Sequence, residues 1–234
     1  MPEKFENKYR IASHRKPGWD YSSNGMYFIT LVTQNRVCNL GYVYRQPQTP
    51  HTHSTTNHSY VQLSNFGKIV DAEWHKSFEI RNELLLDQYV IMPNHLHAIV
   101  LINNELMAND DVVNEITDDV NDDDDDVETH GRASLQSQPQ PQQSKSQSSQ
   151  PFYRLPKSIS SFLAGFKSAV NSKIDDYIDE NDLDMPKYNR NNHFFQPNYH
   201  DHIIRDEQSY KRISEYIINN PAKWANDKFH LDDN

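Results

Sequence analysis

The chain has 234 residues, 35% of them hydrophobic and 24% charged, with a formal net charge of −10. No apolar run approaches the ~20 residues that a membrane-spanning helix needs, and the opening segment 1–8 lacks the apolar stretch of a signal peptide. A single cysteine, Cys38, excludes an internal disulfide framework and fits a reducing compartment, so the cytoplasm is the expected location.

Residues 26–33 are rich in β-branched and aromatic side chains and predict a strand. Residues 41–44 and 60–63 predict two short strands, joined by a Pro/Thr/His-rich loop over 46–58. Ser64 or Asn65 caps a predicted helix reaching about Arg81, with Phe66, Ile69, Val70, Trp74 and Phe78 at helical spacing. Leu84 to Met92 predicts a second core strand, which Pro93-Asn94 interrupts before a third, His95 to Ile102.

The segment 105–150 reads as an insert within one discontinuous domain made of 1–104 and 151–234. Its first part, residues 105–130, holds twelve carboxylates; without them the formal charge changes from −10 to about +2, so the remainder is mildly basic. A Gln/Ser/Pro tract follows with almost nothing apolar. Such a composition does not bury enough surface to offset chain entropy, so a disordered, solvated linker is expected, with an interaction tail as the alternative.

Ser158 opens a helix in which Ile159, Phe162, Leu163, Phe166, Val170 and Ile174 recur at i, i+3, i+4, i+7. Residues 193–204 predict an extended, edge-like segment containing Pro197. A last helix spans Glu207 to about Asn219 and ends near Asn220-Pro221. The order of core elements (strand, helix, strand, strand, helix, strand, helix, with a peripheral hairpin) suits an α+β fold with a ferredoxin-like antiparallel sheet and helices on one face.

The candidate chemistry lies at His95-Leu96-His97. Alternate residues of a strand share a face, so the two imidazoles project together and offer two nitrogen donors, half of a metal site. The spacing equally suits two hydrogen-bonded histidines on a strand's wetter face. In the last helix Tyr216 and Asn220 are four apart and share a face. Taken alone, they are an amphipathic tyrosine and a C-cap.

Four segments, VIMPNHLHAIV (90–100), SISSFLAGFKSAV (158–170), FFQPNYHDHIIRDEQSYKR (194–212) and SEYIINNPAKW (214–224), occur in the order and context of the single-tyrosine HUH transposases. The chain resembles in particular the REP-associated tyrosine transposases, over about 20–104 and 151–230. The resemblance implies that His95 and His97 bind a divalent metal, Mg²⁺ or Mn²⁺, that Asn220 completes the ligands, and that Tyr216 is the nucleophile. It also implies single-stranded, hairpin-forming DNA as substrate, a 5′-phosphotyrosine intermediate, and a monomer or a homodimer. The His-rich hairpin loop and the acidic insert depart from the family pattern.

The implied chemistry is coherent. A phosphodiester repels a nucleophile until its charge is neutralised, which a divalent cation does. A phenol is a poor nucleophile while protonated, its free pKa being ~10. The covalent bond conserves phosphoester energy, and no G-x-x-x-x-G-K-[ST] phosphate loop is present.

His51-Thr52-His53, near His58, repeats the H-x-H spacing in a loop without strand character, so no fixed metal pair is expected there. His200-Asp201-His202 offers phosphate contact, proton transfer or structural hydrogen bonding. Arg205, Lys211 and Arg212 are candidates for gripping the DNA backbone. Phe194, Phe195 and Tyr199 could stack bases, although core packing is expected for at least two of them. The alternatives to the enzyme are a catalytically silent single-strand-binding module and a structural metal domain.

Overall fold

The computed structural model describes residues 16–45, 59–105 and 157–230, together with a two-stranded pairing of β1 (Lys4–Phe5) and β2 (Lys8–Tyr9). The expected linker over 105–150 lies outside the described residues except for Glu105, and the whole hairpin loop over 46–58 lies outside them too. The fold is α+β, as expected.

Four antiparallel strands form the central sheet: β3 (Gly25–Val32), β6 (Leu84–Met92), β7 (His95–Ile102) and β8 (His200–Ile204), in the order β6-β7-β3-β8. A separate hairpin pairs β4 (Gly41–Arg45) with β5 (Ser59–Leu63). The expected extended run 193–204 is narrower than a full strand. Pro197 cannot donate to a ladder, so pairing before β8 is reduced to one bridge between Phe195 and Thr33.

Helix α1 (Asn65–Glu79) starts at Ser64, whose hydroxyl accepts the Gly67 N–H at 3.0 Å. Gly67 is required by close approach: a methyl there would collide with the Leu40 carbonyl oxygen. Helix α2 (Ile159–Glu180) opens with a reciprocal capping box between Ser158 and Ser161. Helix α3 (Glu207–Lys223) is capped by Asp206 and continues past the expected stop at Asn220-Pro221. Pro221 forfeits a helical hydrogen bond, but it is buried and shares a cavity lining with Val61 and Ile91, so packing offsets the loss.

Register decides which side chains meet. Leu96, Ala98, Val100 and Ile102 point to one face with Ile29 and Leu31, where Trp74 of α1 and Phe162 and Phe166 of α2 cover them. His95, His97 and Ile99 point to the other face, where Ile213 and Ile217 of α3 pack on Ile99 and Ile204. Thus α1 and α2 share one face as expected, whereas α3 crosses the opposite one. The period of two makes β7 apolar throughout toward α1 and α2, and toward α3 it presents the two histidines followed by Ile99. Among the described residues no helix is long and apolar enough to cross a membrane.

Candidate functional site

Both histidines of β7 are buried, with relative exposures of 0% and 1%. Their rings lie 4.5 Å apart between centroids. Asn94, in the turn before β7, donates its amide to the carbonyl oxygens of Arg36 (3.0 Å) and Phe229 (2.8 Å). Its Oδ1 therefore accepts, and at 2.9 Å the group that donates to it is His95 Nδ1–H. This fixes the tautomer: His95 Nε2 carries a lone pair. That atom is buried with no hydrogen-bond partner among the described residues. His97 is held from the neighbouring strand by Thr30, whose Oγ1 lies 2.8 Å from Nδ1. A hydroxyl donates or accepts, so His97 is oriented without being locked in one tautomer.

Helix α3 brings the tyrosine to this pair. The Tyr216 hydroxyl lies 3.1 Å from His97 Nε2 and donates to Asp227 Oδ2 at 3.2 Å. Asn220, one turn on, is 1% exposed; its amide donates to the same carboxylate oxygen at 3.3 Å, and its Oδ1 is buried without a partner among the described residues. The other Asp227 oxygen accepts the Phe229 N–H at 2.7 Å. One donor atom each from His95, His97 and Asp227 lies within 4.8 Å of the others, close enough to hold a metal ion. Phe229 and Trp224 pack on the His95 ring, at 4.8 and 5.9 Å between centroids, and close the site from the C-terminal side.

Burial sets the ionisation. It holds both imidazoles below the usual histidine range, and for His97 the adjacent His95 adds to the effect. Both are neutral at pH 7, so each ring carries one nitrogen lone pair. Burial, then the charge of Asp227, push the Tyr216 phenol up to about 12. The tyrosine is therefore protonated at pH 7.

The structure brings His95, His97, Tyr216 and Asn220 together. Asp227 was not singled out in the sequence, because a lone aspartate after a helix has no periodicity to mark it. Of the three basic candidates, Arg205 and Arg212 line one cavity, whereas Lys211 pairs with Glu207 at 2.6 Å on the exposed side of α3. Phe194 and Phe195 are core residues at 1% and 4% exposure, and Tyr199 packs partly buried against the same core.

The fold and site define a class: an α+β domain with a His-His-Asp cluster on the face of its sheet covered by the last helix, and a tyrosine delivered from that helix. No protein-family model matches the chain. A Haemophilus influenzae (strain Rd) protein, described as uncharacterized, is 28% identical over 233 residues, which is 96% of this chain and 98% of the relative. A solved REP-associated tyrosine transposase bound to a REP hairpin aligns over 92% of this chain and 74% of its own, with a TM-score of 0.45 and 16% identity.

Proposed function

We propose that this protein is a divalent-metal-dependent endonuclease and strand transferase for single-stranded, hairpin-forming DNA, acting through a 5′-phosphotyrosine on Tyr216. The observation that carries the reading is the Tyr216 hydroxyl 3.1 Å from His97 Nε2, beside two buried acceptor atoms without partners. The order of the four sequence motifs adds independent support.

The donor set fits a divalent cation. His95 Nε2 and Asn220 Oδ1 are buried lone-pair atoms without partners among the described residues, an expensive arrangement unless something binds them. His95, His97 and Asn220 would hold Mg²⁺ or Mn²⁺, with the Asp227 carboxylate adding negative charge nearby. Such an ion supplies neutralisation of the phosphodiester oxygens and orientation of the scissile bond.

The chain's own residues do the rest. Asp227 Oδ2 already accepts the Tyr216 hydroxyl, so it is the group that receives the phenolic proton. The Tyr216 oxygen bonds to phosphorus as the P–O3′ bond breaks. The departing 3′-oxygen takes a proton from solvent, leaving a 5′-phosphotyrosine and a free 3′-hydroxyl. Attack by a 3′-hydroxyl on the phosphotyrosine reverses the step and joins strands.

The test is incubation with labelled single-stranded hairpin DNA and Mg²⁺ or Mn²⁺. A covalent protein–DNA adduct is expected, and none with Tyr216→Phe. An adduct that survives in Tyr216→Phe overturns the nucleophile. DNA binding without cleavage at any metal concentration replaces the reading with a silent binding module.

A further inference from the structure

A cavity of about 510 Å³ opens at the outer edge of the sheet, between β8 and the first turns of α3. Its lining includes Lys16, Arg205, Arg212, His202, Tyr21 and Asp201. Lys16 and Arg205 both lie against Trp19, at 5.1 and 5.5 Å from the ring centroid. The indole thus holds two cations near each other. Arg212 reaches Ser209 at 3.5 Å. Among the described residues no ion pair joins Lys16, Arg205 or Arg212 to a carboxylate. Asp206 also lines the cavity, but its carboxylate is engaged as the α3 cap, accepting Ser209 N–H at 2.7 Å.

Asp201 is the second observation. Its register partner is Ile29, so it faces away from the metal-site side of the sheet. Its Oδ2 accepts the Tyr21 hydroxyl at 2.7 Å, which anchors the side chain. Its Oδ1 is buried and has no hydrogen-bond partner among the described residues. The cavity is therefore lined by three cations unpaired with carboxylate among the described residues and by Asp201, whose anchored carboxylate has one buried oxygen without a donor among those residues. An anion alone satisfies only the first feature. A nucleotide satisfies both, with phosphate on the cations and a base N–H on Asp201.

The location agrees. His202 lines the cavity and pairs in register with Phe28, whose ring meets Tyr216 edge-on at 6.1 Å and lies 5.2 Å from His97. Only β3 separates β8 from β7, a lateral distance of about 10 Å. A strand whose phosphate reacts at Tyr216 is within reach of this pocket.

We infer that this cavity is a specificity pocket for one unpaired nucleotide flanking the reacting phosphate, with Arg205, Arg212 and Lys16 on its phosphate and Asp201 on a base that carries an exocyclic amino group. The inference rests on the reading of the tyrosine site as one that handles single-stranded DNA. Guanine, adenine and cytosine offer amino N–H donors to a carboxylate. Thymine offers one N–H between two carbonyl oxygens, which the carboxylate repels.

The test is titration of the metal-free Tyr216→Phe protein with the four deoxynucleoside 5′-monophosphates and with inorganic phosphate, following the Trp19 indole N–H by NMR. Omitting metal and nucleophile separates this result from the adduct assay: either reading can fail while the other stands. The expected result is binding of the dGMP, dAMP and dCMP probes about tenfold tighter than thymidine monophosphate or phosphate. Asp201→Asn keeps an acceptor for Tyr21 and is expected to erase that preference. Arg212→Ala, at an exposed position, is expected to weaken all four nucleotides together. Equal binding of phosphate and every nucleotide, unchanged in Asp201→Asn, marks a plain anion site and overturns the base-reading role. No saturable shift with any probe overturns the pocket.

Discussion

Asn94 determines which nitrogen of His95 faces the candidate metal site. Its amide is committed to two backbone carbonyls, so its oxygen must accept from His95 Nδ1 at 2.9 Å. Replacement by Ala removes this orientation and strands the carbonyls of Arg36 and Phe229. We expect Asn94→Ala to lose about 2–4 kcal/mol of stability and to bind Mn²⁺ some 10–100-fold more weakly. Denaturant melts and calorimetric titration check the two effects separately. Unchanged Mn²⁺ affinity in a folded variant would remove Asn94 from the site.

Thr30 plays the corresponding part for His97, through a bond of 2.8 Å. Thr30→Val preserves shape and deletes the hydroxyl. A loss of about 1–2 kcal/mol in stability is expected, with weaker Mn²⁺ binding than wild type. The drop in metal affinity should be smaller than for Asn94→Ala, because the hydroxyl does not lock the tautomer. Metal titration of both variants in parallel measures the order.

Chelation should leave the protein folded. Two hydrophobic clusters hold the sheet between α1 and α2 on one face and α3 on the other, independently of an ion. Excess EDTA is expected to abolish DNA cleavage while circular dichroism retains the native spectrum and a cooperative melt. A chelator that unfolds the chain would point to a structural metal domain instead.

Stability of the ion-free protein should depend on pH at both ends. Burial keeps His95 and His97 neutral in the fold, below the ordinary imidazole value of 6.5. The unfolded chain therefore takes up protons first as pH falls through 6.5, and stability present above that value is lost on further acidification. At the alkaline end Tyr21, Tyr89 and Tyr216 are raised from 10.0 to about 12. The unfolded phenols ionise first, so stability is full below pH 10 and declines toward 12. Melting temperatures from pH 4 to 12 should form a plateau with both flanks. The acid flank should be shallower in His95→Gln, which removes one of the two buried imidazoles.

The aromatic cluster beneath the sheet carries much of the stability. Trp74 is fully buried, its ring 4.9 Å from Phe166 and 5.3 Å from Phe162 between centroids. Trp74→Ala should cost about 3–5 kcal/mol by denaturant titration. Tyr216→Phe, which removes one hydroxyl, should cost about 1 kcal/mol. Loss of activity in that variant can then be separated from loss of fold.

Local pattern was enough to mark the strands of the central sheet and the three helices described above. Ser64 and Ser158 cap where their side chains and the following helical periodicity indicated. The period of two in His95-Leu96-His97 places both imidazoles on one face of the strand. Pro221 misled, because backbone rules mark a helix end where burial of the ring sustains another half-turn.

By itself the sequence determined the elements and the pairing of like side chains within each, because helix and strand periods are properties of the local backbone. Only the tertiary structure decided that α3 lies on the histidine face, that Asn94 sets a tautomer, and that Asp227 completes the cluster. Those facts depend on contacts between segments distant in the chain, Arg36, Phe229 and the last helix among them, and nothing in a local repeat encodes which distant side chain fills the remaining space.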